Sequence, residues 1–230
     1  MARGYPDYAS SSDKQEVVIR PTLVSTTGKV LLYDNFDAVY NAWYSNGSAG
    51  STVNIVVDNY FNTGSCVKLT PPAGANKFAG MNRLIPVPES KSIGLECVFG
   101  MEYEFVGKVH WRMAANYGSV SHKAEVKYDQ TTKKWSIYTS AGFVEIPNST
   151  MTIGVYTNTF TRIKLIVDFN TDKYVKLFVN HHLYDLSAYD CSGSMGAAGE
   201  QLVLNIYGIN DAVGNAYSVW IDNYIISEEE

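Results

Sequence analysis

The segment Thr161-Arg-Ile-Lys-Leu-Ile-Val-Asp-Phe169 decides the fold class of this chain. Its apolar side chains recur at every second position, and most positions between them are charged. Successive side chains of a β-strand point to opposite faces of the sheet, so this alternation predicts one face in a core and the other in water. The core-facing set is Ile163, Leu165, Val167 and Phe169, the water-facing set is Arg162, Lys164 and Asp168, and Ile166 is the exception.

The same strand pattern runs along the chain from residue 17 onward. Short apolar stretches alternate with turn signals such as Thr27-Gly28 and Asn46-Gly47, which is typical of a sandwich or barrel. No stretch has a sustained helical period, although residues 36–43 suit one short helical turn. The predicted strands cover residues 17–24, 30–33, 53–57, 65–70, 93–105, 108–113, 121–128, 134–139, 159–169, 174–179, 201–207 and 216–226.

Length and composition favour one all-β domain. The chain has 230 residues, of which 46% are hydrophobic, 13% aromatic and 18% charged. This is a globular composition, and a β-sandwich of this size commonly forms a single domain. We therefore expect a two-sheet antiparallel jelly-roll sandwich over residues 29–230, preceded by an extended N-terminal arm or first strand over residues 1–28.

The charge pattern excludes two classes of partner. The net charge is −5 and no run of Lys or Arg occurs, whereas a nucleic-acid binder needs clustered positive charge. A basic membrane-surface helix is absent, and no apolar run approaches the roughly 18 residues of a bilayer span. No signal-peptide pattern opens the sequence, so we expect a soluble protein made in the cytoplasm. The cysteines at 66, 97 and 191 have neither disulfide nor zinc spacing.

Four landmarks between residues 30 and 227 resemble the concanavalin-A-like lectin/glucanase superfamily. They are Leu31-Leu-Tyr-Asp-Asn-Phe-Asp37 followed by Trp43, Gly64-Ser-Cys-Val-Lys-Leu69, the strand pair 160–168 and 174–180, and Val219-Trp-Ile-Asp-Asn-Tyr-Ile-Ile-Ser227. The resemblance implies a jelly-roll sandwich. It implies no single activity, because lectins, glycosidases, carbohydrate-binding modules and virion proteins share this fold.

The opening Ala2-Arg-Gly-Tyr-Pro-Asp-Tyr8 resembles the N-termini of some tailed-phage virion proteins, in which an extended arm ties a β-sandwich to a shell. This resemblance implies a non-catalytic capsid decoration protein located in the virion. Its partner would be a capsid or other virion protein, with several copies of the chain on the particle and Tyr5, Pro6 and Tyr8 as anchors. The alternative for this polar segment is a disordered terminus.

Carbohydrate binding is the alternative function, because a sugar offers apolar C–H faces and hydroxyl edges to an aromatic platform flanked by polar groups. Aromatic residues are common in the middle strands, and the resemblance places these strands in the concave sheet. The predicted carbohydrate-binding residues are Trp111, Tyr117, Tyr128, Trp135 and Tyr138. The competing interpretation is that these aromatics belong to the core, where each buries a large apolar area.

A structural calcium ion is a further hypothesis. The first and last strands of antiparallel sandwiches often pair, which would bring Asp34 and Asn35 near Asp222 and Asn223. Hard cations prefer carboxylate and amide oxygens of this kind. Alternatively, these residues cap strand ends through local side-chain hydrogen bonds.

No catalytic residues are predicted, and we expect a protein that is not an enzyme. The Glu-x-Asp-x-x-Glu arrangement of the resembled glucanases is missing. Glu96, Glu102 and Glu104 share one face of the predicted strand 93–105, which leaves a glycan hydrolase or lyase as the alternative.

Overall fold

The computed structural model describes residues 28–37, 43–57, 64–117, 119–153, 160–195 and 199–229. These residues form β-strands joined by turns and loops. In chain order the strands are β1 (Lys29–Asp34), β2 (Tyr44–Gly47), β3 (Thr52–Val57), β4 (Ser65–Thr70), β5 (Lys77–Ile85), β6 (Ser92–Met101), β7 (Gly107–Tyr117), β8 (Val120–Asp129), β9 (Lys134–Thr139), β10 (Gly142–Glu145), β11 (Thr161–Asp168), β12 (Lys173–Val179), β13 (His182–Asp185), β14 (Ser192–Met195), β15 (Gln201–Asn210) and β16 (Val219–Glu228).

The strands form two antiparallel sheets that pack face to face. Sheet 1 has the order β13-β12-β11-β6-β16-β4-β3, with β1 also paired to β16. Sheet 2 has the order β10-β9-β8-β7-β15-β5-β2, with β14 also paired to β8. Most sheet neighbours are distant in sequence, as in β6–β16 and β7–β15, so the chain crosses repeatedly between the sheets. The predicted all-β jelly-roll sandwich is confirmed.

The core lies between the two sheets and is rich in aromatic rings. Trp111 of β7 and Trp135 of β9 stack with ring centroids 5.6 Å apart, and Phe99 of sheet 1 contacts Trp111 edge-on at 4.7 Å. Trp111 also donates a hydrogen bond from Nε1 to Cys97 Sγ at 3.0 Å. These large side chains are fully buried, so they contribute strongly to the hydrophobic stabilisation of the sandwich.

The predicted burial of the alternating apolar residues of β11 is confirmed, but the predicted exposure of one charged residue is wrong. Ile163, Leu165 and Val167 are buried in the core, as expected. Lys164 was expected to face water, yet its side chain is only 1% exposed and its Nζ lies 2.6 Å from Glu229 Oε1. A buried lysine needs such a partner, because burying an unpaired charge is costly. The pairing of Glu229 with Lys164 was not visible in the sequence pattern.

Several predictions fall outside the described residues. They include the strand at 17–24, the anchors Tyr5, Pro6 and Tyr8, and most of the helical turn at 36–43. The division at residue 28 therefore stays a prediction, and the first described strand begins at Lys29. Within the described ranges, no helix has the length and apolar character needed to cross a membrane.

Candidate functional site

The outward side of sheet 2 carries a dense group of charged and aromatic side chains. On β7, Trp111 points into the core, so His110 and Arg112 on either side of it point outward. Residues directly opposite in an antiparallel pair share a face, which extends this surface over the neighbouring strands. We call it the polar face. It comprises Tyr44, Asn82, His110, Arg112, Lys123, Glu125, Lys127, Tyr138, Phe143, Asn205 and Tyr207.

Two neighbouring rows of side chains cross the polar face. In one row, the strand register aligns Glu125, Arg112, Asn205, Asn82 and Tyr44. The adjacent row runs from Lys127 through His110 and Tyr207 to Gly80 and Asn46. The rows therefore place polar side chains side by side over the central strands of sheet 2.

Glu125 is the centre of a buried hydrogen-bond network. Its carboxylate lies 2.7 Å from His110 Nδ1 and 2.8 Å from Lys123 Nζ, and it also accepts a hydrogen bond from the Tyr207 hydroxyl. Burial alone would raise the pKa of Glu125, but the hydrogen bonds from these three side chains outweigh it and lower the pKa to about 2. Glu125 is thus an ionised acceptor at neutral pH.

The ionised Glu125 fixes the protonation state and tautomer of His110. Burial lowers the pKa of His110 below its ordinary value, so its imidazole is neutral at pH 7. An ionised carboxylate only accepts hydrogen bonds, so the network assigns the ring proton to Nδ1. His110 Nε2 is then a lone-pair acceptor. His110 is only 4% exposed, and its Nε2 has no hydrogen-bond partner in the described part of the chain.

Two more buried polar atoms of the polar face lack partners among the described residues. They are Arg112 Nε, which is a donor, and Asn82 Oδ1, which is an acceptor. A buried polar atom without a partner costs free energy comparable to a lost hydrogen bond. The described residues thus leave one buried donor and two buried acceptors of the polar face without a hydrogen bond.

Aromatic rings surround this polar centre. The Tyr207 ring stacks on His110 with centroids 4.6 Å apart, and Phe143 approaches His110 edge-on at 5.5 Å. Tyr138 contacts Phe143 at 5.1 Å. Phe143 is 38% exposed, and Tyr44 at the opposite edge of the sheet is 62% exposed. Apolar ring surface is therefore accessible at both ends of the two rows.

Tyr174 holds Glu125 and Tyr138 in place from the other side of sheet 2. This residue belongs to β12 of sheet 1. Its side chain crosses the core, and its hydroxyl group reaches the β8–β9 pair. The β8–β9 register ends at the pair Val126–Ile137. Immediately beyond it, the Tyr174 hydroxyl accepts a hydrogen bond from Glu125 N at 2.9 Å and donates one to Tyr138 O at 2.6 Å. One side chain of sheet 1 therefore replaces a ladder hydrogen bond directly beneath the polar face.

The predicted aromatic platform needs correction. Trp111, Tyr128 and Trp135 are fully buried between the sheets, so they do not contact solvent on the polar face. Tyr117 also points toward the core side of β7, stacks on His122 at 4.3 Å and donates its hydroxyl to Phe169 O. Tyr138 is the predicted residue that lies on the polar face. The physical reason is that the largest apolar side chains release most free energy inside the sandwich.

The residues that sequence reasoning missed are the neighbours of those aromatics. His110 and Arg112 flank Trp111, and Glu125 and Lys127 flank the buried Val126. Once Trp111 is placed in the core, period-two alternation predicts that these positions point outward from the sheet. The signal was therefore present in the sequence, but the aromatic residues were placed on the wrong face.

The predicted calcium ligands are placed at the junction of β1 and β16. The expected pairing of the first described strand with the last is confirmed, with Asp34 opposite Tyr224. The Asp34 carboxylate, however, is bound by Arg83 at 3.1 Å and by Trp43 Nε1 at 2.9 Å. Asn35 bonds to Asp37, and Asp222 accepts hydrogen bonds from Asn223. The described ranges contain no group of three or more acidic, His or Cys side chains suited to a metal, so calcium stays a prediction.

The three glutamates of the predicted strand 93–105 do not form a groove on one face. Glu96 lies on the outward side of sheet 1, where Arg162 contacts its carboxylate at 3.4 Å. Strand β6 ends at Met101, so Glu102 and Glu104 belong to the turn that follows. Glu102 accepts a hydrogen bond from Ser218 N at 2.7 Å, which is a structural role.

Comparisons with solved structures agree with the fold. An endo-beta-1,4-glucuronan lyase from the fungus Trichoderma reesei superposes with a TM-score of 0.57 and 13% identity, covering 86% of this chain and 95% of that chain. The cellulose induced protein Cip1 matches with a TM-score of 0.52 and 11% identity, over 85% and 96% of the two chains. Peanut lectin gives a TM-score of 0.50 and 12% identity, over 86% and 96%.

Models of known protein families and the sequences of curated proteins give no match to the chain. The structural matches have low sequence identity, so they define the fold and not the activity. The chain has the concanavalin-A-like jelly-roll fold that its sequence landmarks predicted. Its candidate site is the polar face of sheet 2.

Proposed function

We propose that this protein binds a carbohydrate on the polar face of sheet 2. The observation that carries the proposal is a set of three buried atoms in two adjacent rows that have no hydrogen-bond partner among the described residues: His110 Nε2, Arg112 Nε and Asn82 Oδ1. A sugar hydroxyl can both donate and accept a hydrogen bond, so a row of hydroxyls satisfies a mixture of acceptors and donors. The exposed rings of Phe143 and Tyr44 supply apolar surface for sugar C–H faces.

The fold is compatible with this function. Peanut lectin and the glucuronan lyase of Trichoderma reesei, which share the fold, carry names that refer to carbohydrate recognition or cleavage. The support is indirect, because one fold hosts many functions. The argument for a glycan therefore rests on the atoms of the polar face.

The chemistry of Glu125 favours binding without glycoside hydrolysis. A glycosidase needs a carboxylic acid that protonates the leaving oxygen and a second carboxylate across the bond. Glu125 has its pKa lowered to about 2 and is held by three donors, so it is not available as that acid. Its role is to hold His110, Lys123 and Tyr207 in fixed positions around the ligand.

The test is a glycan array followed by calorimetry with the best-bound glycan. Phe143→Ala and Tyr44→Ala each remove an exposed ring at one end of the polar face, and we expect each to weaken binding about tenfold. Tyr103→Ala is the matched control, because Tyr103 is 61% exposed but lies in the turn between β6 and β7. Equal affinities for all three variants, or no binding to any glycan on the array, would contradict the proposal.

We also propose that the protein is located in a virion, and this part of the proposal rests on the sequence of residues 1–8. We infer that the segment around Tyr5, Pro6 and Tyr8 anchors the sandwich to a capsid protein. Many copies on one particle would strengthen weak glycan contacts through avidity. Removal of residues 1–16 should leave the fold intact and abolish co-sedimentation with particles in a density gradient. Unchanged co-sedimentation would contradict this part alone.

A further inference from the structure

We propose that the ligand of the polar face is an anionic polysaccharide, whose carboxylate or sulfate groups pair with Arg112 and Lys127. The inference rests on the proposed function and names the chemical class of its ligand. The charges of the outward side chains of β7 and β8 carry it, because their positive charge exceeds what the nearby carboxylates neutralise.

Most charges on this surface already have partners. Lys108 is bound to Asp211, and Lys123 is bound to Glu125. Asp129 accepts hydrogen bonds from the backbone N–H groups of Thr131 and Thr132, which fixes the β8–β9 turn. Asp129 keeps its negative charge, but neither it nor the other two carboxylates forms an ion pair with a further cation of this surface.

Arg112 and Lys127 are the cations of this surface that form no ion pair within the described ranges. Each is partly exposed, and neither forms an ion pair with a carboxylate of the described residues. Glu125 lies directly opposite Arg112, but its carboxylate oxygens are bound by His110, Lys123 and Tyr207. Cations thus outnumber carboxylates on this part of the face, although the net charge of the protein is −5.

The two cations are also held in place. Lys127 Nζ lies over the Phe143 ring at 4.0 Å from its centroid, which restricts its flexible side chain. Burial, and then the nearby charge of Lys108, lowers the pKa of Lys127 by more than the charges of Asp129, Glu125 and Asp211 raise it, and an anionic ligand would offset this lowering. Arg112 has a planar guanidinium, which binds carboxylate or sulfate oxygens in a bidentate manner. Its Nε–H, which no described residue accepts, is one of the donors of that fork.

The spacing of the two cations suits a polymer with regularly placed charges. Arg112 and Lys127 are diagonal neighbours across the β7–β8 pair, which separates their backbones by about 7–8 Å. His110 adjoins both of them, because it lies directly opposite Lys127 and two residues before Arg112 on β7, and its Nε2 is an acceptor for a hydroxyl group. A sugar bound at His110 would thus have one cation across the strand pair and one along β7 for its own anionic group or that of the next sugar.

The test compares charged and neutral versions of the same polymers on the full chain by calorimetry. The carboxylate arm uses polygalacturonate, polymannuronate and polyglucuronate against their carboxyl-reduced forms, and the sulfate arm uses dextran sulfate against dextran. We expect at least one anionic polymer to bind about tenfold or more tightly than its neutral form, with affinity falling as salt rises. The arm that shows this preference identifies the anionic group.

Variants that remove one positive charge test whether Arg112 and Lys127 bind the anionic groups. Arg112→Gln and Lys127→Gln should each weaken binding of the anionic polymer about five- to tenfold and flatten its salt dependence. Lys176→Gln is the matched control, because Lys176 lies over the Phe178 ring at 5.6 Å on the outward side of sheet 1. It should bind like the unmodified protein, and circular dichroism should show all three variants folded.

The outcomes separate this inference from the proposed function. Equal binding of charged and neutral polymers, weakened by Phe143→Ala but not by Arg112→Gln or Lys127→Gln, would overturn the anionic ligand and leave carbohydrate binding in place. A preference for anionic polymers that Lys176→Gln weakens equally would also overturn it, because the attraction would then be general. No binding of any polymer or arrayed glycan would overturn both.

Discussion

The side chain of Glu125 points outward from a sheet, yet it is only 2% exposed and stays ionised. A buried carboxylate is stable only when donors compensate its lost hydration. His110, Lys123 and Tyr207 are those donors, and they lie on β7, β8 and β15 respectively. The stability of this region is therefore linked to the protonation of two of its residues.

We expect the free energy of unfolding to fall on acidification in two windows. His110 has a folded pKa below its ordinary 6.5, so its contribution is present above pH 6.5 and is lost as the pH falls through the folded pKa. The pKa of Glu125 drops from 4.5 to about 2 on folding, so its contribution is present above pH 4.5 and is lost as the pH falls toward 2. At about 1.4 kcal/mol per pKa unit, the second window amounts to roughly 3 kcal/mol. Urea unfolding at pH 7, 5.5, 4.5, 3 and 2 measures both windows.

Glu125→Gln isolates the lower window. This variant should be less stable at pH 7 and should lose little further stability between pH 4.5 and 2, because its amide does not titrate. Glu145→Gln is the control, since Glu145 forms an exposed ion pair with Lys134 at 2.8 Å. Such pairs contribute at most about 1 kcal/mol. If Glu125→Gln kept the acid sensitivity of the unmodified protein, the network would not be its source.

Gly80 is a second residue on which the polar face depends. A Cβ at this position would lie 2.7 Å from Tyr207 Cβ and 2.8 Å from the backbone oxygen of Ile206. We expect Gly80→Ala to displace Tyr207, lower stability by about 1–3 kcal/mol and weaken glycan binding. Gly193→Ala is the control, because its nearest added contact is Val120 Cγ1 at 4.0 Å. Thermal melts and calorimetry test both variants, and equal behaviour would contradict the close approach.

At the scale of the strands, Tyr174 connects the two sheets beneath the site. Tyr174→Phe leaves Glu125 N and Tyr138 O without their shared hydroxyl, so we expect a loss of about 1–3 kcal/mol. The amide of Glu125 should also exchange its hydrogen faster, while amides of β15 stay protected. Tyr184→Phe is the control, since Tyr184 is a half-buried tyrosine of the same sheet. Unchanged exchange at Glu125 would show that β8 and β9 hold together without Tyr174.

The sequence predicted the strands whose apolar residues alternate or run together, such as β8, β11 and β12. It missed β5 (Lys77–Ile85), although β5 lies inside sheet 2 between β15 and β2. The reason is composition: Ala79, Gly80 and Asn82 have low strand propensity, and Gly80 is present because Tyr207 needs its space. The short strands β2, β10, β13 and β14 were also missed, since four residues give too little pattern.

The polar face was only partly predictable for a similar reason. Alternation around Trp111 could have placed His110 and Arg112 outward, but no local pattern shows that His110, Lys123 and Tyr207 converge on Glu125. That convergence depends on the register of β7 with both β8 and β15, strands that are far apart in the chain. The burial of Lys164 beside Glu229 was hidden in the same way, because 65 positions separate the two residues.

At the scale of the whole molecule, the reactivity of the cysteine thiols measures how often the two sheets separate. The three thiols are reduced, Cys66 and Cys97 are fully buried, and Cys191 is 6% exposed. Burial raises the pKa of Cys97 well above its ordinary value, and its sulfur accepts a hydrogen bond from Trp111 across the core. Alkylation requires an accessible thiolate, so Cys97 reacts only after the sheets separate.

We expect iodoacetamide to label Cys97 at the rate of global unfolding under native conditions, and Cys191 faster, because it adjoins the short strand β14 at its pairing with β8. Peptide mass spectrometry over time measures both rates. Low concentrations of urea should accelerate the labelling of Cys97. The dependence of the labelling free energy on urea concentration should equal that of global unfolding, since the core opens as one cooperative unit. The melting temperature should be the same with and without reductant. Rapid labelling of Cys97 in a protein that keeps its full circular dichroism would mean that the sheets open locally.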